Sequence, residues 1–312
     1  MNLTRRSLIA STLGRNLLGA GSKLRFSICN ETFEGCTVQV AGAAARRAGF
    51  AGLEIAPFTL SEDPALLSKE ERRRLREEIE AAGLEYAGMH AFLQAPKGLH
   101  LTCPDAGVRA RSWTCFRKMI DLAADFKAGS IMVLGSGKQR GAIDGATPAQ
   151  ATARLRDGLA AIAPHAVSRG VTVLLEPLAP HLCNVVNSLD EAVAIIHEID
   201  SPGLATIFDT HNAVQETVPH DQLIRRHFRW IRHVHVNEMD GRYPGSGNYD
   251  FDLILHTLSA LSYGGWISVE VFDFKPDGEF IARESYRRLL KGTGQLGARA
   301  VIGQFGDRRQ RC

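Results

Sequence analysis

The sequence predicts an α/β fold, a single-domain (β/α)8 barrel of the TIM type, and three observations lead to it. Short apolar segments alternate with amphipathic segments eight times, at a spacing of about 30 residues. Several of the apolar segments are continuous hydrophobic runs, typical of parallel strands buried on both faces. The length of 312 residues suits eight such units in one barrel. A doubly wound sheet is the alternative, but no GxGxxG motif follows the first strand.

The eight predicted strands are apolar segments that end close to polar or charged residues. The fifth, VTVLLEP, shows the pattern most clearly, because five strand-forming residues lead directly to Glu176 and Pro177. In chain order, the predicted strands cover residues 24–30, 52–56, 84–90, 130–136, 171–177, 204–210, 231–237 and 266–272.

A segment with helical periodicity follows each predicted strand. In the fourth helix, one predicted face consists of the apolar residues Leu155, Leu159, Ile162, Ala166 and Val167. We expect Asp190 or Ser188 to cap the fifth helix. The other predicted helices cover residues 38–48, 69–82, 108–126, 189–199, 222–228, 252–261 and 281–290.

Composition excludes several classes of protein. Hydrophobic residues make up 45% and charged residues 23%, as in ordinary soluble globular proteins, and the net charge of +3 is too small to indicate nucleic acid. No apolar run reaches the ~18 residues of a membrane-spanning helix. The six cysteines form no CxxC pair, which argues against a zinc finger and against a disulfide scaffold. We therefore expect neither a nucleic-acid nor a membrane partner, and leave a homo-oligomer open.

The two ends of the chain lie outside the predicted barrel, which covers residues 23–293. Residues 1–22 contain no acid and carry Arg5 and Arg6 before small and apolar residues, a pattern that resembles a twin-arginine export signal. The prediction is an exported, periplasmic protein. A basic disordered leader or an organellar transit peptide is the alternative, and without export the protein would be cytoplasmic. Residues 294–312 form a predicted C-terminal tail.

Four successive predicted strands carry a metal-ligating side chain at or near their carboxyl ends. These residues are Glu176, Asp209, His235 and Glu270. In an α/β barrel the carboxyl ends of the strands build the active site, so the four side chains are expected to converge. Three carboxylates would repel one another in a dry pocket unless a cation lay between them. Three oxygen ligands and one imidazole suit Mn²⁺, Mg²⁺ or Co²⁺. Taken singly, each residue could instead be a solvated acid, a cap or a satisfied polar group.

The motifs around these residues carry a resemblance to a known family. LLEPLAP, FDTHN, HVHVNE, PGSGNYDF and SVEVF resemble the xylose isomerase-like barrels called sugar phosphate isomerases/epimerases. Within that superfamily they are most similar to the ketose 3-epimerase branch, and GLEIAPF at 52–58 resembles its second-strand segment. The resemblance covers about residues 24 to 292.

The resemblance implies a divalent metal, Mn²⁺ first and Mg²⁺, Co²⁺ or Zn²⁺ otherwise, bound by Glu176, Asp209, His235 and Glu270. It also implies proton transfer through a metal-stabilised enediolate on a keto sugar or polyol, with Glu176 and Glu270 as catalytic residues. The resemblance also implies that His211 and Arg242 bind the substrate. Glu54 and His90, at the ends of the second and third predicted strands, are predicted to bind substrate as well. Two positions depart from the family's pattern: Asn212 stands where its histidine is usual, and Leu182 where it has a second glutamate.

Other activities of the same superfamily remain as alternatives. An inosose dehydratase-like enzyme or a 3-keto-glycoside lyase or isomerase would share the metal and the enolisation step. An apurinic-site endonuclease would need more histidine ligands than the sequence offers, and a barrel that only binds sugar would need no base. A neutral or 3-keto sugar is predicted rather than a phosphorylated one, because Asp273 and Asp277 follow the last strand.

Overall fold

The computed structural model describes residues 23–293 of the protein. The predicted leader with Arg5 and Arg6 and the predicted tail lie outside the described residues, so the export signal stays a prediction. Within residues 23–293, no helix combines the length and the apolarity needed to cross a bilayer.

Eight parallel strands close into a barrel in chain order, with β1 hydrogen-bonded to β8. This topology confirms the predicted single-domain (β/α)8 barrel. The strands are β1 Arg25–Cys29, β2 Gly52–Ile55, β3 Glu85–Met89, β4 Ile131–Leu134, β5 Thr172–Leu175, β6 Leu204–Asp209, β7 Ile231–Val236 and β8 Trp266–Val269.

One helix follows each strand and packs on the outside of the barrel. The helices are α1 Val38–Ala48, α2 Lys69–Ala81, α3 Ala106–Phe126, α4 Pro148–Ser168, α5 Leu189–Ile199, α6 His220–His227, α7 Phe251–Ala260 and α8 Gly278–Gly292. Most begin at a side-chain cap. Ser188 rather than Asp190 caps α5, since its hydroxyl accepts a hydrogen bond from the Glu191 N–H. The predicted helices were short mainly at their first turns, where capping residues and not apolar periodicity set the start.

The predicted buried face of α4 is correct except at one residue. Leu155, Leu159 and Ala166 are fully buried, whereas Val167 is 46% exposed. Since a helix turns by about 100° per residue, Val167 lies too far around the axis from Ala166 to share its face.

The strands bury apolar residues on both faces. A small cluster formed by Val133, Leu174, Ala205 and Ile207 brings together neighbouring positions of β4, β5 and β6. The larger core lies between the strands and the helices and includes Val173 and Leu175. Because side chains alternate between the faces of a strand, Leu174 faces the barrel interior while its two neighbours face the helices.

Candidate active site

The alternation of side chains carries the quartet of predicted metal ligands onto the interior face. Glu176 follows Leu174 by two residues, and Asp209 follows Ile207 by two. The two side chains therefore lie one step beyond the small apolar cluster, toward the carboxyl ends of the strands. On the other two strands, His235 pairs in register with Ser268, and Glu270 follows Ser268 by two residues.

The structure brings the four side chains together. One ligand atom from each of Glu176, Asp209, His235 and Glu270 lies within 4.8 Å of the others. His235 Nδ1 lies 3.1 Å from Glu270 Oε2, 3.7 Å from Asp209 Oδ2 and 3.8 Å from Glu176 Oε1. All four residues are buried. This spacing suits a cation bound between the four ligands.

The electrostatics of the quartet indicate that it carries more negative charge than a buried pocket favours. Burial and the neighbouring Glu270 and Asp209 raise the pKa of Glu176 to about 8. Burial and Glu270 raise the pKa of Asp209 to about 6. Burial opposes ionisation of Glu270 too, but the adjacent His235 holds the pKa of Glu270 below its usual value. A divalent cation would relieve this repulsion.

Two donor atoms of the quartet fit a metal in a second way. His235 Nδ1 and Asp209 Oδ2 are buried and have no hydrogen-bond partner within residues 23–293. Buried polar atoms are normally satisfied, so two such atoms facing a common centre are the pattern expected of ligands.

Asn212 and Arg140 hold the carboxylate ligands in place. The Asn212 backbone N–H donates to Asp209 Oδ1 at 2.7 Å, and its side-chain amide donates to Glu176 Oε1 at 3.2 Å. The Arg140 guanidinium is fully buried and donates to the backbone carbonyl of Glu176. The departure from the family's pattern at position 212 therefore supplies a residue that connects two of the four ligands.

Glu54 is hydrogen-bonded to the nitrogen of His235 that faces away from the quartet. Its carboxylate is fully buried and accepts hydrogen bonds from His233 Nε2 at 2.9 Å and from His235 Nε2 at 3.1 Å. Since a carboxylate only accepts, His235 Nε2 carries the hydrogen of this bond, and Nδ1 is the nitrogen that faces the quartet. The structure thus places Glu54 against His235, in a position that would orient this predicted metal ligand, and the substrate-binding role of Glu54 stays a prediction.

His90 and Glu31 lie next to Glu270, at the edge of the quartet. His90 Nε2 donates to Glu31 Oε1 at 2.9 Å and lies 3.6 Å from Glu270 Oε1, while His90 Nδ1 is 3.4 Å from Glu54 Oε1. His90 therefore borders the quartet, and its substrate-binding role stays a prediction.

His211 follows Asp209 by two residues and is buried, whereas Arg242 lies in the loop after β7. His211 Nδ1 donates to the Met239 carbonyl at 2.8 Å, which leaves Nε2 as the free nitrogen, and its ring contacts Phe272. The Arg242 guanidinium is about half exposed and pairs with Asp240 at 2.8 Å. The structure does not bring Arg242 into contact with the quartet, so its substrate-binding role stays a prediction.

Glu31 and Arg140 were not predicted as site residues from the sequence, and Asn212 was identified only as a departure from the family's pattern. The sequence contains a signal for Glu31. Ser27, Cys29 and Glu31 are alternate residues, so Glu31 comes directly after β1 in line with the residues of its interior face. Arg140 offered no such signal, since it lies in the loop after β4 and is buried only by tertiary packing.

Comparison with known proteins identifies the family of this barrel. A sequence model described as xylose isomerase-like TIM barrel matches residues 43–292 of the chain. The chain belongs to the xylose isomerase-like TIM barrel family. Family membership confirms the resemblance identified from the motifs at the strand ends.

Relatives of this family member include ketose epimerases. L-Ribulose 3-epimerase from Mesorhizobium japonicum is 27% identical over 223 residues, 69% of this chain and 74% of the relative. Ketose 3-epimerase from Arthrobacter globiformis is 28% identical over 141 residues, 45% of this chain and about half of that relative, 49%. A solved structure of D-psicose 3-epimerase with D-fructose superposes with a TM-score of 0.75 at 20% identity, covering 88% of this chain and 100% of that one. At this identity the superposition shows the shared fold.

Proposed function

We propose that the protein is a divalent-metal-dependent epimerase or isomerase that moves a proton on a neutral keto sugar or polyol. The observation that carries this proposal is the convergence of Glu176, Asp209, His235 and Glu270 from four successive strands. The epimerase names of the relatives support the reaction class.

Glu176, Asp209, His235 and Glu270 would hold the cation, with Mn²⁺ as the expected metal. When bound, a divalent cation supplies Lewis-acid stabilisation of negative charge on substrate oxygens. Glu270 and Glu176 are the proposed proton carriers: one removes the proton next to the carbonyl and the other returns one. They project from β8 and β5, on either side of Asp209 and His235, so they can approach a substrate from two sides.

The chain also determines how water and charge are distributed around the reacting atoms. Burial of the quartet keeps water from competing for the carboxylates, which strengthens their interactions with a bound substrate. Loops at the mouth supply few cations for a phosphate: Arg242 pairs with Asp240, and Asp277 caps α8 through the Phe280 N–H. These contacts support a neutral substrate.

The test is proton exchange in D₂O with a panel of sugars. Mn²⁺-loaded protein is incubated with D-fructose, D-tagatose, a 3-keto glucoside and D-fructose 6-phosphate, and deuterium incorporation next to the carbonyl is read by NMR. We expect incorporation into a neutral member and none after chelation of the metal. Incorporation confined to the phosphorylated sugar contradicts the substrate class, and incorporation into none contradicts the reaction.

A further inference from the structure

Glu31 borders the quartet from the first strand and has no assigned role. It lies in the single 3-10 turn Asn30–Thr32 that directly follows β1. One oxygen from Glu31, the His90 Nε2 atom and one oxygen from Glu270 lie within 4.8 Å of one another. The Glu31 side chain is 12% exposed, whereas the Glu54 side chain is fully buried. The Glu31 side chain is therefore accessible to a ligand at the site, whereas the Glu54 side chain is not.

The turn that carries Glu31 is fixed by its neighbour. Asn30 Oδ1 accepts from the Ala56 N–H at 2.7 Å, and Asn30 Nδ2 donates to Thr59 Oγ1 at 2.8 Å. These bonds tie the turn to the loop after β2. A side chain presented from a restrained turn loses little conformational entropy on binding a ligand.

The hydrogen-bond pattern shows which ligand chemistry Glu31 can serve. Because the Glu31 carboxylate only accepts, His90 Nε2 carries the hydrogen of their 2.9 Å bond. That nitrogen has no lone pair free for a cation, which argues against a second metal here. Glu31 Oε2 makes no hydrogen bond within residues 23–293 and is not buried from solvent. An open carboxylate oxygen beside the quartet is an acceptor for a hydroxyl group.

We propose that Glu31 is a specificity-determining residue that accepts a hydrogen bond from a neutral hydroxyl group of the substrate, close to the reacting carbon. This inference rests on the proposed function for the placement of the substrate. The ligand class is a polyhydroxyl compound with a free hydroxyl group at this point. A phosphate or carboxylate there would face Glu31 and Glu270, both anionic, and would be repelled.

The test measures binding separately from turnover. Xylitol, D-fructose and three D-fructose analogues deoxygenated at C4, C5 or C6 are titrated into the Mn²⁺-loaded full chain by calorimetry. We expect Glu31→Gln and Glu31→Ala to weaken binding of D-fructose about 10-fold or more, the effect of losing a charge-assisted hydrogen bond. One deoxy analogue should show the same loss with the unmodified protein and no further loss with Glu31→Gln.

Glu34→Gln is the matched control, since Glu34 is an exposed carboxylate three residues further along the same loop. It should change the affinity for D-fructose by less than about twofold. All variants should bind one Mn²⁺ per chain, which shows that the quartet is intact.

Three results would overturn the inference. The first is an equal affinity of Glu31→Gln and the unmodified protein for D-fructose, and the second is no binding of xylitol or D-fructose to the unmodified protein. The third is a second Mn²⁺ per chain that Glu31→Gln removes. Deuterium exchange into D-fructose is followed in parallel. Binding that depends on Glu31 without any exchange would contradict the proposed function and leave this inference standing. Deuterium exchange into D-fructose, with binding that does not depend on Glu31, would support the proposed function and contradict this inference.

Discussion

The Glu176 carboxylate fills the space that a β-carbon on Gly135 would need. The two residues directly follow β4 and β5, whose last residues Leu134 and Leu175 are register partners. Any side chain at position 135 would overlap Glu176 Oε2. The absence of a side chain directly after β4 therefore makes room for a proposed metal ligand directly after β5.

Replacing Gly135 by Ala should displace Glu176 from the quartet while leaving the barrel folded. We expect the affinity for Mn²⁺ to fall about 10-fold or more, the range found when a ligand loses its support. Calorimetry with Mn²⁺ measures the change. Gly264→Ala is the control, because a β-carbon there meets no atom within 4 Å. Equal Mn²⁺ affinities for the two variants would show that Glu176 does not need this space.

Replacing Glu54 by Gln should weaken metal binding although Glu54 is no ligand itself. A glutamine with its oxygen in the place of Glu54 Oε2 would still accept from His233, but its NH2 group would face the hydrogen on His235 Nε2, so the His235 ring shifts or changes tautomer. We expect a loss of Mn²⁺ affinity of roughly 10- to 100-fold, the usual effect of removing such a partner. Histidine ¹⁵N NMR would report the tautomers directly. Glu85→Gln, at an exposed position at the start of β3, should change neither readout.

Glu176→Gln and Glu270→Gln should each slow proton exchange far more than they weaken metal binding. Both residues are proposed as ligands and as proton carriers, and loss of a general base costs about 10²- to 10⁴-fold in rate. Exchange is measured at saturating Mn²⁺. Asp209→Asn is the comparison, because Asp209 is a proposed ligand without a role in proton transfer and should lose mainly affinity. Exchange at the unmodified rate by either Glu variant would exclude that residue as the base.

Metal binding should release protons between about pH 6 and 8. The pKa of Glu176 is raised to about 8 and that of Asp209 to about 6, so both must lose protons to bind a cation in this range. We therefore expect Mn²⁺ affinity to rise with pH, and calorimetry in buffers of different ionisation enthalpy counts the protons. A proton count of zero at pH 6.5 would contradict the raised pKa values.

The stability of the metal-free protein should fall as pH rises, whereas its Mn²⁺ affinity should rise. Between the ordinary pKa of 4.5 and the folded-state pKa of about 8, folded Glu176 holds a proton that the unfolded chain has released. A state that binds the extra proton is favoured at low pH, so the contribution of Glu176 to stability decreases as pH rises through this window. Thermal melts with chelator at pH 5.5 and 7.5 check the sign, with Glu176→Gln as the variant that should lose this dependence.

The barrel was predictable from the sequence because its signals are local and repeated. Continuous apolar runs mark strands such as β5, and helical periodicity marks segments such as α4. Val167 was misplaced because it is apolar and adjacent to a buried residue, and hydrophobicity alone does not fix the angular position of a side chain.

The grouping of the four quartet residues was predictable as well, because each lies at or near the carboxyl end of a predicted strand. The roles of the residues around it depended on contacts that no spacing encodes. The position of Glu54 at the end of its strand predicts a substrate contact, whereas the structure shows contacts with two imidazoles 179 and 181 residues further along the chain. Asn212 looked like a missing histidine, yet its amide and backbone hold two carboxylates.

The chain separation between Glu54 and His235 has a consequence for folding. All four quartet residues come from the last four strands, so a half-barrel from β5 to β8 would contain every ligand. The acceptor that sets the tautomer of His235 comes from the other half, 181 residues away. Contacts this distant form late, because closing such a long loop costs entropy that few other contacts yet offset. We therefore expect the orientation of His235 to be completed only when the N-terminal half-barrel docks, which would tie assembly of the site to closure of the fold.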